Sequence, residues 1–379
     1  MSLHAGTSLR LALAGAVAMG CAMGIGRFVY TPILPFMAEA LHLSGSQAGL
    51  IASANFLGYL IGALATSARL PGSPRGWLIG ALTASAVTTA AAGLFAAVPA
   101  IAAMRFLGGI ASAFSLVFAS TQVLEGLARA GRGGLSAVHF GGVGIGIALS
   151  SLVILLPVGW EAMWLVSGAA TLLGAVVVAA LMPPPEERHA PAAAHEAPAR
   201  VGGLARLVVA YGLFGFGYVI TATFIVAIVR GEPSLRAFEP LAWLVVGLAG
   251  APSVWIWMTV GRRTGLMRGY ALACAAEAVG VLLSLWTGLA GILLSAILLG
   301  GTFMAITALG LEAARRRAGR NPRRVVGLMT VAFSIGQIVG PTVAGYARDV
   351  TGSFTTATVG AAAALVVAAL LTALPGRAA

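Results

Sequence analysis

The chain contains no lysine and a single aspartate, Asp349. Acidic residues number 11 among 379, and charged residues of every kind make up 9%. A soluble domain carries about 25% charged residues, so this chain lacks the polar surface that water demands. The shortage of carboxylates also removes most acid–base and metal chemistry. No HExxH, GxSxG or Walker pattern occurs, nor any pair of membrane aspartates. The glycine string GVGIG at 142–146 follows no strand and is not a dinucleotide loop. Cysteine is nearly missing: Cys21 and Cys274 each lie in an apolar run, which excludes a disulfide framework and a cysteine metal site. No enzymatic activity, metal or cofactor is expected.

What the chain does have is apolar bulk and small residues. Hydrophobic residues make up 59%, the mean hydropathy is +0.97, and there are 51 glycines, as suits helices packed closely in lipid. The formal charge of +12 comes entirely from arginine. A nucleic-acid binder would gather that charge on a polar domain; none exists here, so no nucleic-acid partner is expected and the charge is read as topological. Twelve runs reach the ~20 residues that a bilayer requires: 9–38, 46–68, 76–97, 99–126, 133–157, 161–182, 204–229, 238–260, 267–287, 289–313, 323–346 and 355–375. Residues 10–26 imitate a secretory signal, but their apolar run continues past Cys21, so they read as an uncleaved first span.

The segment PPPEERHAPAAAHEAPARVGG, 183–203, has no apolar face and reads as a linker. It divides the chain into a six-span half at 1–182 and another at 204–379. Arginine counts set the orientation. With the N-terminus in the cytoplasm, 18 arginines fall on the cytoplasmic side and only Arg230, Arg236 and Arg348 on the other, which places both termini inside. Arg27 and Arg105 fall within spans. The halves echo each other: AMGIGRFVYTP at 22–32 aligns with LFGFGYVITAT at 213–223, and GGVGIGIALS in span 5 with FSIGQIVGPT in span 11. The loops after spans 2 and 8 end alike, in Arg75-Gly76 and Arg268-Gly269. Repeated halves of this kind are the mark of a rocking transporter.

The strings MGIGRFVYTPILPFM (23–37) and QAGLIASANFLGYLIGA (47–63), with MRFLGGIASAF, HFGGVGIGIALS, GGTFMAITALGLEAAR and GQIVGPTVAGY, carry a resemblance to the major facilitator superfamily. Within it the chain resembles the YbfB/YjiJ-type branch over essentially its whole length. The resemblance implies an all-α membrane protein, twelve transmembrane helices in two pseudo-symmetric six-helix bundles, with a cavity lined by helices 1, 2, 4, 5, 7, 8, 10 and 11. The superfamily's loop between helices 2 and 3 usually carries an aspartate and arginines. Here the stretch is GALATSARLPGSPRG, with Thr66 where the acid is expected, and GRRTGLMRG in the second half also lacks one. The Arg-x-x-x-Gly pattern of helix 4 is present as Arg105 to Gly109, and in the superfamily that arginine is associated with proton coupling or the central cavity.

Buried polar groups are the candidate site. An arginine at mid-bilayer costs roughly 2.5–3.5 kcal/mol on insertion scales, so Arg27 needs a use. Tyr30 and Thr31 follow it at i+3 and i+4, and Pro32 and Pro35 free the carbonyls of Phe28 and Thr31 and allow a kink. Arg27 either lines the cavity or caps carbonyls of a neighbouring helix. Arg105 either faces the cavity or snorkels to the outer interface. Asn55 with Tyr59, and Tyr211 with Tyr218, share helix faces and, with Gln337, are either cavity liners or glue between helices. Glu277 is either a proton site or a structural hydrogen-bond partner; His139 is either packing or a group that titrates near neutral pH. Glu39, Glu125 and Glu312 sit at span ends as interfacial charges or gate partners. Trp243, Trp255 and Trp257 read as packing or interfacial belts.

The expected protein is therefore a monomeric secondary transporter of the bacterial inner membrane. It would move a small-molecule substrate across the lipid bilayer by alternating access, coupled to protons or another ion. An organic anion or amphipathic metabolite is the expected substrate; a multidrug exporter of apolar or cationic compounds and a non-transporting receptor are the alternatives. Orientation is open to direct test. In intact cells a membrane-impermeant maleimide is expected to label Pro233→Cys, in the loop after span 7, and to leave Gly131→Cys, in the loop after span 4, unlabelled.

Overall fold

The computed structural model describes residues 2–68, 70–183, 203–286, 288–318 and 322–373. The 183–203 linker falls almost wholly outside these residues. Among the described residues every regular element is a helix. Twelve long helical segments follow in order: α1 (Gly6–Ala40), α2 (Gly45–Ala65), α3 (Pro74–Ala92), α4 (Val98–Arg129), α5 (Ser136–Ser151), α6 (Trp160–Leu181), α7 (Leu204–Gly231), α8 (Glu239–Thr264), α9 (Leu266–Leu283), α10 (Leu289–Arg317), α11 (Pro322–Thr351) and α12 (Thr355–Ala373). Among the described residues eleven segments are long and apolar enough to cross a membrane, α5 only with its flanking turns as Gly133–Leu155. The other, α3, carries Thr83, Ser85, Thr88 and Thr89 within 19 residues; it packs against α4 and α6.

Local chemistry starts these helices where the chain turns. Ser44 and Gln47 exchange hydrogen bonds in a capping box that opens α2, at 3.2 and 2.9 Å. Ser73 accepts from Gly76 N and Pro74 occupies the first helical position of α3. Several ends depart from the expected spans by four to six residues, among them α3 and α11. α3 stops at Ala92 rather than 97, because Gly93 sits on the backbone of α6; a Cβ there would lie 2.4 Å from Glu161 O. α11 runs to Thr351 rather than 346, its last turn held by Asp349 against the start of α2.

The repeat expected from sequence is visible as a repeat of packing. In the first half α2 packs on α4, α3 on α4 and α6, and α1 on α5 and α6. Six helices later α8 packs on α10, α9 on α10 and α12, and α7 on α11 and α12. The two six-helix bundles then meet through α2 with α11 and through α5 with α8. Glycine makes these approaches close enough. A Cβ on Gly24 of α1 would lie 2.4 Å from Gly146 Cα of α5, and one on Gly144 of α5 would lie 2.5 Å from Gly247 O of α8.

α1 is not a single α-helix. It is α-helical to Met19, forms a π-turn over Gly20–Ile25, passes through a non-helical turn at 26–29 and resumes at Tyr30. The break therefore begins well before Pro32, earlier than a simple proline kink places it. Gly26 N reaches back five residues to Cys21 O at 2.8 Å. Pro32 has no N–H for Phe28 O, which Thr31 N takes instead at 3.2 Å. Phe28 O is thus satisfied within the break, contrary to expectation, and the carbonyls of Gly26 and Arg27 turn instead to Arg105.

Overpacking a tight contact costs roughly 1–3 kcal/mol. Gly24→Ala is expected to lower the melting temperature of the detergent-purified protein. Gly80→Ala, where a Cβ meets nothing within 4 Å, is expected to leave it unchanged or slightly raised.

Candidate functional site

Arg27 stands at the break in α1, only 4% exposed. Its guanidinium lies over the rings of Tyr59 (4.3 Å), Phe56 (4.8 Å) and Phe28 (5.7 Å), measured to the ring centroids. Its Nη2 donates to Gln337 Oε1 of α11 at 2.7 Å, and its Nε has no hydrogen-bond partner. Gln337 Nε2 in turn donates to the Tyr218 hydroxyl of α7. The guanidinium dictates this amide orientation, since the reverse would point an N–H at a cation. A cation–π contact is worth about 0.5–2 kcal/mol and a hydrogen bond to a charged group about 1.5–3. Three rings and one amide therefore offset the insertion cost without any carboxylate. Among the described residues neither Arg27 nor Arg105 forms an ion pair, so the positive charge is retained.

Arg105 of α4 does different work. It is 3% exposed, and its Nη1 and Nη2 donate to the carbonyls of Gly26 and Arg27 at 2.8 and 2.6 Å. These are the two carbonyls that the break in α1 leaves over. Tyr30 and Trp164 flank this guanidinium at 5.5 and 5.4 Å, and Asn55 Nδ2 donates to Arg105 O at 2.8 Å. Arg105 is thus buried in the first half with both Nη groups committed to backbone, rather than extended to an interface.

The other predicted residues divide. Tyr59, Tyr218 and Gln337 converge on Arg27. Tyr218 stacks between Phe303 and Phe333, at 5.7 and 5.8 Å with interplanar angles of 10° and 4°, and Tyr211 joins at the far side of Phe333, 5.1 Å away. Tyr30 and Thr31 commit their hydroxyls to the backbone of neighbouring helices. The Tyr30 hydroxyl donates to Ala48 O of α2 and Thr31 to Ala222 O of α7, each at 2.7 Å. His139 lies apart: its Nδ1 side abuts Gly15 and its Nε2 is 3.1 Å from Ser120 Oγ, among helices of the first half. Gly15 precedes Arg27 by about 18 Å of helix rise. Glu277 is fully buried inside the second half with neither carboxylate oxygen partnered; Thr302 beside it donates to Leu298 O at 2.6 Å instead.

Phe28, Phe56, Phe303 and Phe333 escaped the sequence reading. A signal existed for two of them: Phe56 lies one turn before Tyr59, and Phe333 one turn before Gln337, on the same helix faces. Of the helix 8 tryptophans, Trp243 donates to Ser150 Oγ at 3.1 Å and Trp257 to Gly301 O at 2.8 Å, while Trp255 is 63% exposed on the apolar surface.

From Arg27 toward the end opposite the N-terminus, the halves are joined repeatedly. Arg230 of α7 bridges Glu39 of α1 at 2.6 Å and Glu239 of α8 at 3.1 Å. Asp349 of α11 accepts from Gly45 N and Ser46 N at 2.6 and 2.8 Å, a carboxylate on the N-terminus of α2. Ser53 of α2 donates to Ile338 O at 2.6 Å. Glu39 is thus a partner across the halves, whereas Glu312 pairs locally with Arg316 at 2.8 Å.

The Arg105 clamp yields a stability test. Two hydrogen bonds to a charged donor are worth about 1.5–3 kcal/mol each. Arg105→Gln is therefore expected to lower the melting temperature more than Arg27→Gln, which leaves the backbone of α1 satisfied.

The fold matches solved transporters. A point mutant of the nucleoside transporter NupG superposes with a TM-score of 0.73 at 16% identity, covering 96% of this chain and 99% of that one. NupG itself gives 0.71 at 16% identity, with 96% and 98% covered. A bacterial homologue of the human lysosomal transporter Spinster, inward-facing and unoccupied, gives 0.65 at 13% identity, with 98% and 95% covered. No curated protein sequence matches the chain. The family model described as "Uncharacterised MFS-type transporter YbfB" matches residues 19–373. The chain belongs to that family: it is a multi-pass membrane transporter of the major facilitator superfamily, not an enzyme.

Proposed function

We propose that the protein is a monomeric secondary active transporter of a small organic solute, preferably an organic anion, in the bacterial inner membrane with both termini cytoplasmic. The halves 1–182 and 204–379 rock about the Arg27 cluster, and protons supply the drive. The observation that carries this reading is the Arg27–Gln337–Tyr218 chain. It is a buried cation without a counter-ion, hydrogen-bonded from one half to the other. A solute bound there would touch both halves, and its contacts would change as they rock, as ligand-driven alternation requires.

The ion pair at Arg230 and the Asp349 cap support an outward gate that is shut in this conformation, with the path to the cluster running from the cytoplasm. The missing acid at Thr66 fits the same picture, because the cytoplasmic loop then has no aspartate of its own to hold that side closed. A cationic drug as cargo would favour acidic groups at the cluster. The one carboxylate in the membrane interior of the second half, Glu277, lies behind Thr302 and is the candidate proton carrier.

Flux into proteoliposomes of defined orientation tests the reading. Accumulation of an organic anion is expected to depend on an imposed pH gradient. Arg27→Gln is expected to abolish that flux while the protein remains inserted and monodisperse. Flux indifferent to the gradient for every class of solute would sink the transporter mechanism, and unchanged kinetics in Arg27→Gln would make Arg27 a scaffold residue.

A further inference from the structure

A guanidinium offers its hydrogens along edges. The Nε–H and one hydrogen of Nη2 point the same way, spaced so that one carboxylate accepts both in parallel bonds. At Arg27 this edge is half filled. Nη2 donates to Gln337 Oε1 at 2.7 Å, while Nε, buried in a residue 4% exposed, has no partner. Aromatic rings crowd the guanidinium, with the centroids of Tyr59 and Phe56 4.3 and 4.8 Å from its carbon, and the unfilled hydrogen-bonding position lies on the edge. A ligand must therefore meet Arg27 edge-on, at the place Gln337 now holds.

We propose that the Nε–Nη2 edge of Arg27 is the substrate anchor, that it takes the carboxylate of a monoanionic organic acid with a flat apolar body, and that the substrate displaces Gln337. The inference rests on the transporter reading above and adds to it the group recognised and the residue displaced. One charge is specified because only one edge can be vacated: Arg105 Nε is also unpartnered, but the Nη2 beside it is held by the backbone carbonyl of Arg27, and its Nη1 by that of Gly26. A flat body is specified by what surrounds the edge. Gln337 leads to Tyr218, whose ring lies almost parallel to those of Phe303 and Phe333, at 10° and 4°. A planar apolar group would there meet an aromatic cluster, already stacked ring on ring, and no charged partner. Arg27 belongs to one half and Gln337 and Tyr218 to the other, so the empty carrier holds its own halves together with the bond that cargo would replace. Gln337 is then a positioning residue that fills the anchor between cycles.

The full-length protein in detergent tests this through Gln337, with benzoate as probe and benzyl alcohol and benzylamine as the neutral and cationic counterparts. Gln337→Glu supplies the carboxylate from within the chain. It is expected to melt above both the wild type and Gln337→Ala, and to give no further shift with benzoate. Wild type and Gln337→Ala are expected to gain roughly 2–4 °C with benzoate at about tenfold excess over its Kd, and nothing with the other two compounds. Arg27→Gln is expected to lose the shift. The anchor is overturned if Gln337→Glu melts no higher than Gln337→Ala, if benzoate leaves the wild type unshifted, if benzylamine stabilises equally, or if the benzoate shift survives Arg27→Gln. Gradient-driven flux of a cation in a protein that ignores benzoate would remove the anchor and leave the transporter reading standing.

Discussion

Two guanidiniums on opposite sides of one interrupted helix set most of this structure. The π-turn at Gly20–Ile25 and the missing N–H of Pro32 leave the carbonyls of Gly26 and Arg27 without helical partners inside a membrane protein. Lipid offers no water to satisfy them, and each unsatisfied group there is expensive. Arg105 takes both. With that clamp in place both carbonyls are satisfied, and the Arg27 side chain bonds Gln337 of the second half. The cost of burying one arginine is thereby tied to presenting the other.

The contrast between the two follows from their donors. Arg105 spends its Nη groups on backbone that cannot move away, so it acts as a fastener. Arg27 spends one hydrogen bond on an amide side chain from the other half and rests its faces on aromatic rings. Ring faces stabilise a cation without neutralising it. An arginine held this way has no carboxylate paired to it, unlike a salt-bridged one.

The seam between the bundles divides labour in a similar way. Glycine at Gly144 and Gly247 lets α5 and α8 touch backbone to backbone, where side chains would hold them apart. Polar links lie farther along, at Glu39–Arg230 and at the Asp349 cap on α2. Close apolar contact is non-directional and tolerates sliding, whereas ion pairs and caps have one good geometry and break outright. The seam combines close backbone packing with a few directional links. The chain's only aspartate is spent on this seam.

The sequence by itself determined the succession of apolar helices and which loops carry arginine, because hydropathy and charge act locally and need no partner. It also exposed the repeat, as AMGIGR against LFGFGY, and singled out Arg27, Arg105, Tyr59, Tyr218 and Gln337, because a polar group in an apolar run is legible wherever it lies. Pairing was not legible. Nothing in the composition of α1 says that its break begins at Gly20 rather than at Pro32, since π-turns arise from how neighbouring helices pack. Nor could spacing show that the hydroxyls of Tyr30 and Thr31 are spent on Ala48 O and Ala222 O, since those carbonyls belong to other helices. His139 and Gln337 look alike in sequence, each a lone polar residue in a glycine-rich span. Only the tertiary structure set one against Gly15 and the other against Arg27, since contacts between residues hundreds apart are decided by how whole helices cross.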